Sequence, residues 1–132
     1  MKRHLFAGLA AAAALSAGTV IPATTASAAP VTAQSCLGSA TNYTGTPGSG
    51  GGNAHWPGTG KWAYATKKCA DINLKVNYTR QVRTCFKSTG KCNGWRTANK
   101  GKWALAATNM RDGAGFYLQF RGANRSTGKI AY

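Results

Sequence analysis

The sequence predicts a small all-β domain, a disulfide-stabilised β-sandwich or barrel of about seven short antiparallel strands preceded by a cleaved signal helix. Three observations carry this. Ile72-Asn73-Leu74-Lys75-Val76 and Phe116-Tyr117-Leu118-Gln119-Phe120 place an apolar residue at every second position. That is the pattern of a strand with one buried and one wet face. Turn signals recur at short intervals: Thr89-Gly90, Asn93-Gly94, Asn99-Lys100-Gly101, Asp112-Gly113 and Ser126-Thr127-Gly128. Four cysteines, Cys36, Cys69, Cys85 and Cys92, lie in a chain too short to bury a large core.

The elements follow in chain order. Lys2, Arg3 and His4 form a basic head, Leu5 to Val20 is rich in Ala and Leu, and Ala26-Ser27-Ala28 supplies small residues for cleavage. Residues 1–28 are therefore expected to be a secretory signal peptide, which makes the mature protein extracellular. Ser16 and Gly18 interrupt the apolar run, so a membrane anchor is not expected, and no later stretch suggests stable membrane insertion. Residues 29–60 read as a flexible Gly/Ser/Thr-rich segment, since seven of the 17 glycines lie between Thr41 and Gly60. Within it Trp56 either stacks on a ligand or covers an open end of the core.

The β domain is expected over residues 61–132. It is built around a phrase that occurs twice, Gly60-Lys61-Trp62-Ala63-Tyr64-Ala65 and, 41 residues on, Gly101-Lys102-Trp103-Ala104-Leu105-Ala106. Strands are predicted at Lys61–Lys67, Ala70–Asn77, Arg80–Phe86, Trp95–Ala98, Lys102–Thr108, Gly115–Arg121 and Lys129–Tyr132. Alternation assigns Trp62, Tyr64, Ile72, Leu74, Val76, Val82, Phe86, Trp103, Leu105, Phe116, Leu118 and Phe120 to the core. The opposite register presents Asn73, Lys75, Arg83, Lys87, Tyr117, Gln119 and Arg121. No segment carries a helical period, so no helix is expected after the signal.

Four cysteines allow three pairings. Cys85 and Cys92 flank a short polar loop with a glycine and suit a bridge across a hairpin, which favours Cys36–Cys69 for the other pair. There is no C-x-x-C pair and the spacings are 33, 16 and 7, so neither a metal site nor a cofactor is expected.

Charge narrows the function. The chain holds 17 Lys plus Arg against two acids, Asp71 and Asp112, and removing Lys2 and Arg3 with the signal leaves 15 against two, a net +13. Such a balance on an exported domain favours polyanions over long range, or serves solubility. Enzyme chemistry is poorly provided for. The mature chain has one histidine, His55, and no glutamate, and Asp71 is expected in a salt bridge that would keep it ionised. No catalytic residue is expected.

Binding is better provided for, because cations interleaved with rings and amides hold phosphates and stack bases or sugars. The candidates are Lys75, Arg83, Arg121, Tyr117, Trp95, Arg96 and Trp56. The expected partner is an anionic polymer: teichoic acid, nucleic acid or acidic polysaccharide. The alternatives are a neutral-glycan module using Trp56 and Trp95, and an antimicrobial or protease-inhibitory protein.

Arg83-Thr84-Cys85-Phe86, Cys92-Asn93-Gly94-Trp95, Gly101-Lys102-Trp103 and Asp112-Gly113 resemble stretches of uncharacterised small secreted basic proteins of filamentous actinobacteria. The resemblance spans roughly Lys61 to Tyr132. It implies compartment and architecture, and it assigns no functional residue.

Overall fold

The computed structural model describes residues 31–132, so the predicted signal helix and its cleavage site lie outside the described residues. The elements run α1 Val31–Gly38, β1 Thr41–Pro47, a 3-10 turn at Ser49–Gly51, β2 Ala54–Trp56, β3 Ala63–Tyr64, β4 Ile72–Val76, β5 Arg80–Phe86, β6 Arg96–Ala98, β7 Trp103–Ala107, β8 Gly115–Phe120 and β9 Ser126–Ala131. All pairings are antiparallel, in the order β6-β5-β8-β2-β1-β9-β4-β7, with β3 set beside β8. The result is a nearly closed barrel.

Each of the seven predicted strands has its counterpart. Residues 41–56 correct the expectation of a flexible segment. β1 pairs with β9 through Thr41–Gly45 and with β2 through Thr46 and Pro47, so it turns the corner between two halves of the barrel. At that corner a Cβ on Gly45 would lie 3.0 Å from the Phe120 ring, so the small residues that read as a linker make room for packing. The short helix α1 is a further departure. Cys36, on this helix, is bonded to Cys69, and the second bridge joins Cys85 to Cys92. Chain-entropy arguments assign these loops about 3.7 and about 2.4 kcal/mol respectively.

The core holds Tyr43, Ile72, Leu74, Val76, Val82, Phe116, Leu118, Phe120 and Ile130. Tyr43 stacks on Phe120 with ring centroids 5.5 Å apart, and its hydroxyl meets the Ser126 hydroxyl at 3.0 Å. Burial pushes the Tyr43 phenol above its ordinary pKa. Gly128 lies beneath this ring: a Cβ there would fall 2.0 Å from the Lys75 carbonyl and 2.9 Å from Tyr43. Arg80 sits at one end of the barrel, 5.7 Å from the Phe120 ring, and donates to the carbonyls of Arg121, Asn124 and Arg125.

Four predicted core residues face outward. Trp62 and Trp103 are half-buried on the outer surface, and Tyr64 and Leu105 are 48% and 46% exposed. In both copies of the repeated phrase the alanines turn inward, with Ala63 opposite Phe116 and Ala104 opposite Leu74. Both registers of Trp-Ala-Tyr-Ala are apolar, so alternation does not choose between them. The inside of a small barrel, already filled by Phe116, Phe120 and Tyr43, does.

The seam between β6 and β7 is closed by side chains. A bulge on β7 leaves Ala106 without a partner on β4, since Ile72 pairs with Ala107 and Asn73 with Leu105. The Ala106 carbonyl accepts instead from Thr84 Oγ1 at 2.9 Å and Asn93 Nδ2 at 2.8 Å. Arg96 reaches over from β6 to the Leu105 carbonyl at 3.1 Å.

Candidate functional site

The outer face of β5, β8 and β2 gathers cations, amides and rings into one strip. Antiparallel register sets Arg83 opposite Gln119 and Gln119 opposite His55. Arg83 Nε donates to Gln119 Oε1 at 2.5 Å, and the Gln119 amide nitrogen lies 3.1 Å from His55 Nε2. Because a guanidinium only donates, Gln119 must turn its oxygen to Arg83 and its NH2 to His55. His55 Nε2 is then the acceptor, so the neutral ring carries its proton on Nδ1. Burial, and then the Arg83 charge, hold the His55 pKa below its ordinary value.

Rings extend the strip in both directions. His55 stacks on Tyr117 at 5.2 Å with planes 7° apart, and Trp62 meets Tyr117 edge-on, also at 5.2 Å. Lys87 lies 5.9 Å from the Trp62 ring and 5.2 Å from the Tyr64 ring, and its Nζ donates to the Tyr64 hydroxyl at 2.9 Å. At the other end the Arg83 and Arg121 guanidiniums lie 4.5 and 5.8 Å from the Trp95 ring. Arg121 also donates to Gln81 Oε1 at 2.7 Å. Between β2 and β3 the chain leaves β8, and there His55, Thr59, Gly60, Lys61, Trp62 and Tyr117 line a pocket of about 120 Å³.

Of the residues singled out in the sequence, Arg83, Arg121, Trp95 and Tyr117 come together on this face. The other three lie elsewhere. Lys75 is on β4, 5.8 Å from the Trp103 ring. Arg96 is paired with Val82, in the register that faces inward on β5, and its guanidinium is engaged at the seam. Trp56 is opposite the buried Leu118, and its ring packs among Tyr43, Phe116 and Tyr132 at 6.4, 6.4 and 5.6 Å. It therefore covers core.

His55, Gln119, Trp62 and Lys87 join the site without having been candidates. Gln119 and Lys87 share the wet register of Tyr117 and Arg83, and that shared register was the available signal. His55 gave none, because β2 is only three residues long.

The acids lie outside the strip's contacts. Asp71 Oδ1 accepts the Asn109 amide at 2.9 Å, where a salt bridge was expected, because Asn109 takes a left-handed turn with φ 53° that brings its N–H to the carboxylate. Asp112 is exposed in the turn before β8. Among the described residues no three His, Cys, Asp or Glu side chains converge to hold a metal, and no helix is long and apolar enough to cross a membrane. No family model matches this chain, and no curated protein or solved structure matches it.

Proposed function

We propose that this protein is a secreted, non-enzymatic binder of an anionic polymer, held along the outer face of β5, β8 and β2. The observation that carries the reading is the Trp95–Arg83–Gln119–His55–Tyr117 strip. Gln119 and Trp95 fix the Arg83 guanidinium from two sides, while its Nη groups make no hydrogen bond to the described residues. A preorganised, unspent fork suits a phosphate or carboxylate oxygen pair. Tyr117, Trp62 and the pocket beside them suit a sugar or base of the same chain. Nucleic acid, teichoic acid and acidic polysaccharide share this chemistry of repeated anions between rings. A neutral glycan is less favoured, because Trp56 packs into the core and two guanidiniums cover Trp95. The same setting gives no support to acid–base catalysis, with His55 neutral and both acids elsewhere.

The test is retention of residues 29–132 on single-stranded DNA, on cell wall with and without teichoic acid, on a uronic acid polymer and on chitin, each at low and high NaCl. The expected result is retention on an anionic support that vanishes at high salt. Arg83→Gln and Arg121→Gln should each lower the slope of log affinity against log salt by about 0.7–0.9. Retention on chitin that survives high salt would sink the reading.

A further inference from the structure

The strip lies on three adjacent strands of the barrel, and the opposite wall carries a second cationic surface of different character. In a ring ordered β6-β5-β8-β2-β1-β9-β4-β7, β8 is four places from β4 and β5 four places from β9. The Arg83–Gln119 pair thus has Lys75 on β4 and Lys129 on β9 diametrically behind it. Lys75 and Lys129 are directly opposed in register, Lys75 half-buried and Lys129 exposed. Like charges so placed destabilise a sheet. Among the described residues no acid offsets the repulsion: Asp71 accepts the Asn109 amide and Asp112 lies in the turn before β8.

A third lysine joins them. Lys75, Lys100 and Lys129 line one pocket of about 270 Å³ together with Val76, Asn77 and Gly101. The Gly101 amide donates to the Val76 carbonyl at 2.9 Å and the Lys100 amide to Thr79 Oγ1 at 3.0 Å, which fixes the loop that carries Lys100. The only side-chain contacts of these ammonium groups among the described residues are with ring faces, Lys75 with Trp103 and Lys100 with Tyr78, each at 5.8 Å. Three lysines thus line one pocket, and among the described residues none of them is paired with a carboxylate.

We propose that this pocket binds a phosphate-class oxyanion, and that the protein is consequently bivalent, holding one polyanion segment on the strip and a second on the lysine wall. Bivalence rests on the polymer-binding reading above; the lysine pocket does not. Two sites facing in opposite directions cannot both be served by one short segment, so the protein cross-links chains.

Two measurements test this. Inorganic tripolyphosphate titrated into the labelled protein should shift the backbone amide resonances of Asn77 and Gly101, and the double variant Lys75→Gln/Lys129→Gln should lose those shifts. That variant removes a repulsive pair, so its folding is not endangered. Shifts confined to the Arg83–Gln119 face, or none at all, would overturn the pocket. Next, protein bound to immobilised single-stranded DNA should capture a labelled second strand, and the double variant should bind the first strand yet capture the second at least about tenfold less well. Binding of the first strand with no capture by the native protein overturns bivalence alone. Second-strand capture at the native level by the variant overturns it as well. Loss of first-strand binding with intact tripolyphosphate shifts overturns the polymer reading and leaves the pocket standing.

Discussion

Gln119 sets the protonation of its neighbour. Its oxygen is claimed by Arg83, so only its NH2 faces His55, and a protonated imidazole would bring two donors together. Burial and the Arg83 charge act in the same direction, and the His55 pKa lies below its ordinary value. In the unfolded chain His55 titrates near its usual pKa of about 6.5. As pH falls below that value the unfolded state takes up the proton first, and the stability contribution is lost as pH passes through the lower folded value. Melting temperature should therefore drop between neutral pH and about pH 5, and His55→Gln should flatten that part of the profile. An unchanged pH slope in the variant would contradict the relay. Bound polyanion, placing negative charge beside Arg83, should raise the His55 pKa toward its ordinary value, which imidazole resonances would report. Tyr117, Gln119 and Arg83 are legible in sequence because alternation assigns them to the wet face. The relay is not, because its direction depends on a cross-strand register that places His55 beside Gln119.

Strands β4 to β8 announce themselves through long alternating runs or clear turn dipeptides, whereas Ser126-Thr127-Gly128, which reads as a turn, is the first half of β9 and pairs with β1. β1 and β2 do not announce themselves, since the corner they build needs Gly45 beneath the Phe120 ring and so lacks bulky alternating residues. The seam is equally silent. Its closure depends on the extra residue Ala106 and on Asn93, which in sequence reads as half of an Asn-Gly turn. Asn93 serves both walls: Oδ1 accepts the Thr84 amide at 2.7 Å while Nδ2 donates to the Ala106 carbonyl. Asn93→Ala strands a part-buried N–H and removes one of two donors from a buried carbonyl, at an expected cost of about 2–3 kcal/mol. Thr84→Val leaves Asn93 on that carbonyl and should cost about 1 kcal/mol. Urea unfolding of the two variants checks the ratio. An Asn93→Ala loss below about 0.5 kcal/mol, the level of an ordinary surface change, would show that the barrel closes without it.

At the scale of the molecule, an excess of 15 positive charges on a chain with two acids must work against compactness. The fold spends some of its cations structurally, with Arg80 on loop carbonyls and Arg96 across the seam. Others gather on the strip, as Arg83, Lys87 and Arg121 do, and on the lysine wall formed by Lys75, Lys100 and Lys129. This predicts opposite responses to salt. NaCl shortens the screening length from about 30 Å at 0.01 M to about 8 Å at physiological strength, so it should weaken polymer binding while stabilising the folded state by about 1 kcal/mol. Sulfate at matched ionic strength should stabilise further, partly by general exclusion from the surface and partly by occupying the Lys75–Lys100–Lys129 pocket. The double variant Lys75→Gln/Lys129→Gln separates the two, since it retains the first effect and loses the second. Urea midpoints in chloride and sulfate, for the native chain and the variant, make the comparison. Stability that falls with NaCl would mean that attractive pairs hold the barrel together and that the repulsion argued for its lysine wall is compensated within the fold.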